Sequence, residues 1–217
     1  ITQGLRTRPS RPLVYTYRRH HASLSFSGEA AQRPVIWQEL LALAIGGFLV
    51  TGAANGFNQI IERNLDRLMD RTRERPLPMQ VLTPAEALIF CGLCGAAGTA
   101  ILWVFANPLS GILGFISIVL YALLYTPLKQ RTPFAVLVGA FPGALPTLIG
   151  GVASTEGFGE IGFFAVLLFF IQFVWQFPHF WALAWFNSED YARANFYLLP
   201  SQGGKDEFIH VVLSRVG

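Results

Sequence analysis

The residues best equipped for chemistry lie between Asn58 and Pro78, in the run NQIIERNLDRLMDRTRERPLP. Asn58, Glu62, Asp66, Asp70 and Glu74 recur at every fourth position, and Arg63, Arg67, Arg71 and Arg75 repeat that spacing one residue later. On a helix a step of four residues drifts by only about 40°, so the spacing predicts one oxygen-rich stripe. A basic stripe lies about 100° around the same helix. Carboxylates with an amide in line are hard oxygen ligands, suited to Mg²⁺ carrying a phosphorylated substrate. Guanidinium groups beside them would neutralise phosphate oxygens in forked geometry. The same residues also suit a solvated helix end laced with pairs such as Arg63 with Asp66 and Arg67 with Asp70, each contributing about 0.2–0.5 kcal/mol. Asn58 and Glu62 weigh against that simpler reading, because they follow an apolar run at membrane depth, where a carboxylate costs about 2.5 kcal/mol or more.

A second acidic group, Asn187-Ser-Glu-Asp-Tyr191, closes another apolar run. A capped helix-end loop would account for it. If both acidic groups end helices on one face of a membrane, they suit a pair of Mg²⁺ ions clamping one diphosphate. That arrangement would ionise an allylic diphosphate, with metal and arginine charge stabilising the leaving pyrophosphate.

The elements that must position these groups are apolar helices. A helix needs about 20 apolar residues to cross a hydrocarbon layer of roughly 30 Å. Five stretches qualify, near 36–58, 84–106, 109–127, 133–153 and 161–186. Composition agrees: of 217 residues, 53% are hydrophobic, 14% aromatic and 13% charged, and that charged share is about half of what soluble domains carry. Disorder needs the opposite balance, and two cysteines exclude a disulfide scaffold. The expected fold class is therefore all-α, a polytopic transmembrane helical bundle. Small residues at helix-packing spacing, Gly52 with Gly56 and Gly139 with Gly143, fit such a bundle. Cys91 and Cys94 lack the partners of a metal or redox site and are expected to be small core residues.

Charge placement orients the bundle. Arg63, Arg67, Arg71, Arg73, Arg75, Lys129, Arg131, Arg193 and Lys205 all fall in connections expected on one side, while Asn107-Pro108 and residues 154–160 carry no Lys or Arg. By the positive-inside rule the acidic motifs face the cytoplasm or, in a mitochondrion, the matrix. Residues 1–34 break the rule, with six arginines (6, 8, 11, 18, 19 and 33) against Glu29. They are expected to be a targeting or other extension atypical of the rest of the chain. The formal charge of +3 arises in that segment and indicates no nucleic-acid partner.

Asn58 to Asp66 reads N-x-x-x-E-x-x-x-D, which resembles the first acidic motif of the UbiA superfamily of intramembrane prenyltransferases. RTRERPLP, YTPLKQRTPFAVLVGAFPGALPTLIG (Tyr125–Gly150) and WQFPHFWALAWFNSEDYARANFYLLP (Trp175–Pro200) are similar to the branch of that family that farnesylates protoheme IX. The resemblance covers roughly residues 36–205. It implies a UbiA-like bundle and transfer of farnesyl from farnesyl diphosphate to a vinyl group of heme B, giving heme O on the route to heme A. It further implies Mg²⁺ as cofactor, with Asn58, Glu62, Asp66 and Asp190 as metal ligands and Asp70 as a further catalytic member.

Carried over in the same way, Arg71, Arg73, Arg75, Lys129, Arg131, Tyr125 and His179 would bind substrate. Lys129 and Arg131 would serve either diphosphate or heme propionates. His179 would contact iron, hydrogen-bond the heme edge or simply pack. The aromatic residues around it (Phe169, Phe170, Phe173, Trp175, Phe177, Phe180, Trp181 and Trp185) would line a porphyrin or isoprenoid cavity, or pack as ordinary lipid-facing rings. The implied partners are farnesyl diphosphate, heme B, the lipid bilayer and heme A synthase. A bacterial plasma membrane is the favoured host, with the mitochondrial inner membrane as the alternative.

Against the family pattern the chain is expected to be truncated at both ends: an Arg-rich segment 1–34, a prenyltransferase domain 35–205, and the start of a further span at 206–217. The alternatives are a relative acting on an aromatic quinone precursor, an ion transporter or an inactive fragment. A transporter fits less well, because its acids would spread through the membrane depth rather than gather at one face beside arginines.

Overall fold

Thr83-Pro84-Ala85-Glu86 shows how this sequence starts a helix. The Thr83 hydroxyl accepts the Glu86 amide at 3.3 Å, while the Glu86 carboxylate accepts the Thr83 amide at 2.9 Å, and proline occupies the first turn, where its missing N–H costs nothing. Asn107-Pro108 repeats the device in the tight connection that follows, with the Asn107 side chain accepting the Ser110 amide at 2.9 Å.

A computed structural model describes residues 37–196. The Arg-rich segment 1–34 and the start of a span at 206–217 lie outside the described residues. Among the described residues five helices are long and apolar enough to cross a membrane: α1 Trp37–Asp66, α2 Pro84–Ala106, α3 Pro108–Leu128, α4 Ala135–Ala153 and α5 Phe163–Phe186. A short helix, α6, spans Ser188–Arg193. No strand occurs among the described residues. Four of the spans fall within two residues of their sequence-based limits. The first does not: α1 runs 30 residues, about 45 Å at 1.5 Å per residue, and carries the first three members of the acidic stripe as helix.

α1 packs along α2 and α4 along α5, and α3 touches α1, α2 and α4. Val50, Ala53 and Ala54 of α1 meet Leu102 and Ile118 in one core cluster, and Leu145, Leu148, Ile149 and Val152 of α4 meet Ala165 of α5 in another. α2 ends in a π-helical turn, Leu102–Ala106, and α3 contains one, Leu120–Tyr125, before its last α-helical turn, Thr126–Leu128. Pro127, just beyond the second, has no N–H to continue an α-helical ladder. That turn places Tyr121 and Tyr125 toward α1 and α4.

Small residues set the interhelical spacing where lipid offers no hydrophobic drive. A Cβ on Gly98 would sit 2.8 Å from the Gly46 carbonyl oxygen and 2.9 Å from the Val50 amide nitrogen, both backbone atoms that cannot rotate away. Gly56 faces the Cys91 sulfur, so Cys91 is a small packing residue as expected. Gly143 receives Gln176, and Gly139 receives the ring of Tyr125. Gly52, by contrast, faces open space. Gly98→Ala should therefore lower stability in detergent by about 1–3 kcal/mol. Gly92→Ala, with nothing within 4 Å, should be neutral or stabilising by up to about 1 kcal/mol. Thermal unfolding of the two variants side by side checks the prediction.

Candidate active site

Asn58, Glu62 and Asp66 are one turn apart on α1, and all three are buried, Glu62 and Asp66 to 2% and 1% exposure. The Asn58 amide nitrogen donates to Glu62 Oε2 at 3.0 Å, and its oxygen takes Lys129 Nζ at 3.2 Å. Lys129 Nζ lies 2.8 Å from each Glu62 carboxylate oxygen, but its hydrogen bond is directed at Oε2. Oε1 has the charge contact and no hydrogen bond. Thr126 Oγ1 lies 3.0 Å from Asn58 Oδ1 and 2.8 Å from the Tyr121 carbonyl, and its single proton serves one of them at a time. Lys129 is also held between rings, 5.1 Å from the centroid of Tyr125 and 5.0 Å from that of Phe196. Burial pushes its ammonium below the ordinary lysine value, and the Glu62 carboxylate opposes that shift.

Beyond Asp66 the chain leaves the helix. The Thr72 hydroxyl donates to the Asp66 carbonyl at 2.9 Å, and Arg75 returns to the Asp66 carboxylate at 3.1 Å. The predicted stripe therefore ends after its third member, and the basic stripe dissolves into separate contacts. Arg63 donates to the Ile60 carbonyl, Arg67 to the Pro78 carbonyl, and Arg73 pairs with Asp70 at 3.1 Å. The expected Arg63–Asp66 and Arg67–Asp70 pairs give way to these. Asp70 is exposed and bound to Arg193, whose hydrogen bond holds the carboxyl below the ordinary aspartate range. Glu74 is exposed as well.

The ladder and part of the segment after it line a partly open cavity of about 420 Å³. Its polar side includes Asn58, Glu62, Asp66, Arg71, Arg75 and Lys129, three basic groups against two acids, and its rings are Tyr121, Tyr125, Phe180, Tyr191 and Phe196. Gly139 leaves the space that the Tyr125 ring fills, since a Cβ there would lie 2.7 Å from it. A partly open cavity with a surplus of one positive charge on its wall suits an anion. Seven of the sequence candidates thus share its wall: Asn58, Glu62, Asp66, Arg71, Arg75, Tyr125 and Lys129.

The other five lie elsewhere. Asp70 and Arg73 pair at the surface, Arg131 is exposed in the α3–α4 connection, and His179 stacks on Trp175 at 4.8 Å and 17°, off the cavity wall. Asp190 sits at the same end of the bundle as the acidic ladder, as the topology predicts, but its two oxygens accept the amides of Asp70 and Arg71 at 3.0 and 3.3 Å. Of the aromatic run on α5, Phe180 alone lines this cavity, while Phe169, Phe173, Phe177 and Trp181 stack ring to ring along the helix. Sequence reasoning missed Tyr121, Thr72, Tyr191 and Phe196. Tyr191 had a usable signal, as the neighbour of Asp190, and Asn55 another, as an amide one turn ahead of Asn58 inside an apolar span.

Glu62 and Asp66 fit a Mg²⁺ ion, which is commonly held by one or two carboxylates with phosphate oxygens completing the shell. Of the two Glu62 oxygens, Oε1 makes no hydrogen bond and has the Lys129 ammonium 2.8 Å away. Asp190 does not fit, being turned onto loop amides, and no cluster of three or more His, Cys, Asp or Glu residues converges among the described residues.

The UbiA prenyltransferase family profile matches residues 26–214. The chain belongs to the UbiA prenyltransferase family. Its similarity to curated UbiA proteins is high: 47% identity over 184 residues with a protoheme IX farnesyltransferase of Cytophaga hutchinsonii, covering 85% of this chain and 63% of the relative. A protoheme IX farnesyltransferase of Christiangramia forsetii is 50% identical over 160 residues, 73% of this chain and 52% of the relative. One from Sorangium cellulosum is 42% identical over 180 residues, 82% and 63% respectively. The chain therefore spans between about half and two thirds of the length of these UbiA relatives. No solved structure gives a significant match.

Proposed function

We propose that this chain forms the diphosphate-ionising part of a membrane prenyltransferase that moves farnesyl from farnesyl diphosphate to a vinyl group of heme B, giving heme O. One observation carries the reading: a carboxylate–amide ladder and three basic side chains share a 420 Å³ cavity with five aromatic rings. The protoheme IX farnesyltransferase names of the similar proteins supply the acceptor.

Arg71, Arg75 and Lys129 neutralise charge that grows on the diphosphate as its C–O bond breaks, both bonding electrons leaving with the oxygen. Tyr121, Tyr125, Phe180 and Phe196 present rings that stabilise the allylic cation and keep water from it. The vinyl π electrons then form the new C–C bond, water adds to the resulting cation, and a proton is lost to solvent. No protein nucleophile is needed. Glu62 and Asp66 would hold Mg²⁺, with Asn58 beside them; the ion, when bound, adds positive charge against the leaving diphosphate.

Residues 35–205 make up the proposed prenyltransferase domain. The ladder end faces the cytoplasm of a bacterial plasma membrane, a reading supported by the one-sided Lys and Arg count and by the bacterial relatives. Heme A synthase is the partner that would consume the product. Membranes containing the protein, given heme B, farnesyl diphosphate and Mg²⁺, should form heme O detectable by mass and should leave 4-hydroxybenzoate unchanged. Prenylated 4-hydroxybenzoate without heme O would move the protein to the quinone-precursor branch.

A further inference from the structure

The segment between α1 and α2 carries Arg71 and Arg75 to the cavity wall, so its placement decides where two of the three basic groups stand. Its inner side is anchored by Thr72 and Arg75 on Asp66 and by Met69, which is 2% exposed. Its outer side is held from another part of the chain. Asp190 of α6 accepts two consecutive backbone amides, Asp70 through Oδ1 and Arg71 through Oδ2. Those amides open the turn closed by the Arg73 amide on the Met69 carbonyl. A carboxylate there caps otherwise unpaired donors with charge-assisted bonds. Arg193, one turn on, ties Asp190 to the Asp70 carboxylate at the same point. The Asp190 side chain is only 15% exposed and does not reach the cavity, whereas its neighbour Tyr191 lines it.

We propose that Asp190 is a positioning residue: with Arg193 it clamps the 67–82 segment so that Arg71 and Arg75 face the diphosphate cavity, and it is not a metal ligand. The consequence for turnover rests on the prenyltransferase reading above; the clamp itself does not.

The test is trypsin cleavage of the protein in everted membranes without added metal, since Arg71 and Arg73 report directly on opening of the segment, whereas Arg75 precedes Pro76 and is not a tryptic site. Proteolysis follows local opening when reclosing is fast, so Asp190→Ala should be cut in 67–82 about tenfold faster than the unaltered protein. Asp190→Asn, which keeps one acceptor oxygen, should fall between the two. Cleavage after the exposed Arg131 in the next connection should not change, which shows that the bundle is intact. With Mg²⁺ and substrates, Asp190→Asn should lower the rate of prenyl transfer while half-saturation by Mg²⁺ stays within about twofold. Loss of a coordinating group or its support would instead raise that value by about tenfold or more. Unchanged cleavage in 67–82, or a tenfold higher Mg²⁺ requirement, overturns the clamp. Faster cleavage in a protein whose unaltered form transfers no prenyl group keeps the clamp and removes the proposed activity.

Discussion

Asp66→Asn is expected to lower farnesyl transfer by on the order of 10²–10³-fold while the protein still inserts and folds. The side chain is 1% exposed, lines the cavity and is the counter-ion of Arg75. Asparagine keeps the shape and one oxygen but removes the charge that holds Arg75 and would bind a hard cation. The fold should survive, because the bond that turns the chain after α1 runs from the Thr72 hydroxyl to the backbone carbonyl of Asp66, which the substitution leaves in place. Glu74→Gln is the matched control. It belongs to the same four-residue spacing but is exposed and outside the cavity, so its rate should stay within about twofold, as surface changes away from partners are usually small. Heme O formation in membranes, normalised to inserted protein, separates the two. Near-normal turnover in Asp66→Asn would remove Asp66 from the site.

Lys129→Met should destabilise the protein by about 3–5 kcal/mol, because it strands a carboxylate that is 2% exposed without the cation paired with it among the described residues. Methionine preserves much of the stem that lies between Tyr125 and Phe196, so lost packing should contribute little. Adding Glu62→Gln should restore a large part of the loss, since a neutral amide has no charge to strand and still lies within reach of Asn58. The double-mutant cycle, read by thermal unfolding in detergent, gives the coupling directly. Additive losses would mean that Lys129 and Glu62 do not stabilise each other. Prenyl transfer by the double variant should remain low, because the cavity then loses one of its three basic groups.

The spans, the ladder and most of the basic groups were legible in the sequence. Apolar length defines a membrane helix almost without reference to its neighbours, and Asn58, Glu62 and Asp66 fall on one face through helical periodicity alone. The same periodicity misled beyond Asp66. Asp70, Glu74 and the arginines continue the spacing, but Thr72 and Arg75 fold back onto Asp66 and Asp190 takes the amides of Asp70 and Arg71. His179 misled for a related reason: a motif position does not say which side of α5 faces the cavity, and Phe180 faces it instead.

By itself, then, the sequence determined an all-α membrane chain, with five spans among the described residues and its two acidic motifs placed with Arg63–Arg75 at one end, and its family resemblance agreed with the comparisons. Only the tertiary structure decided who pairs with whom. Lys129 meets Glu62 across 67 residues, and Arg193 meets Asp70 across 123. Periodicity reports which residues share a helix face, a local property of the backbone. The partner of a buried charge is fixed by how separate helices pack, and that packing places three bases and two acids around one cavity while turning Asp190 away from it.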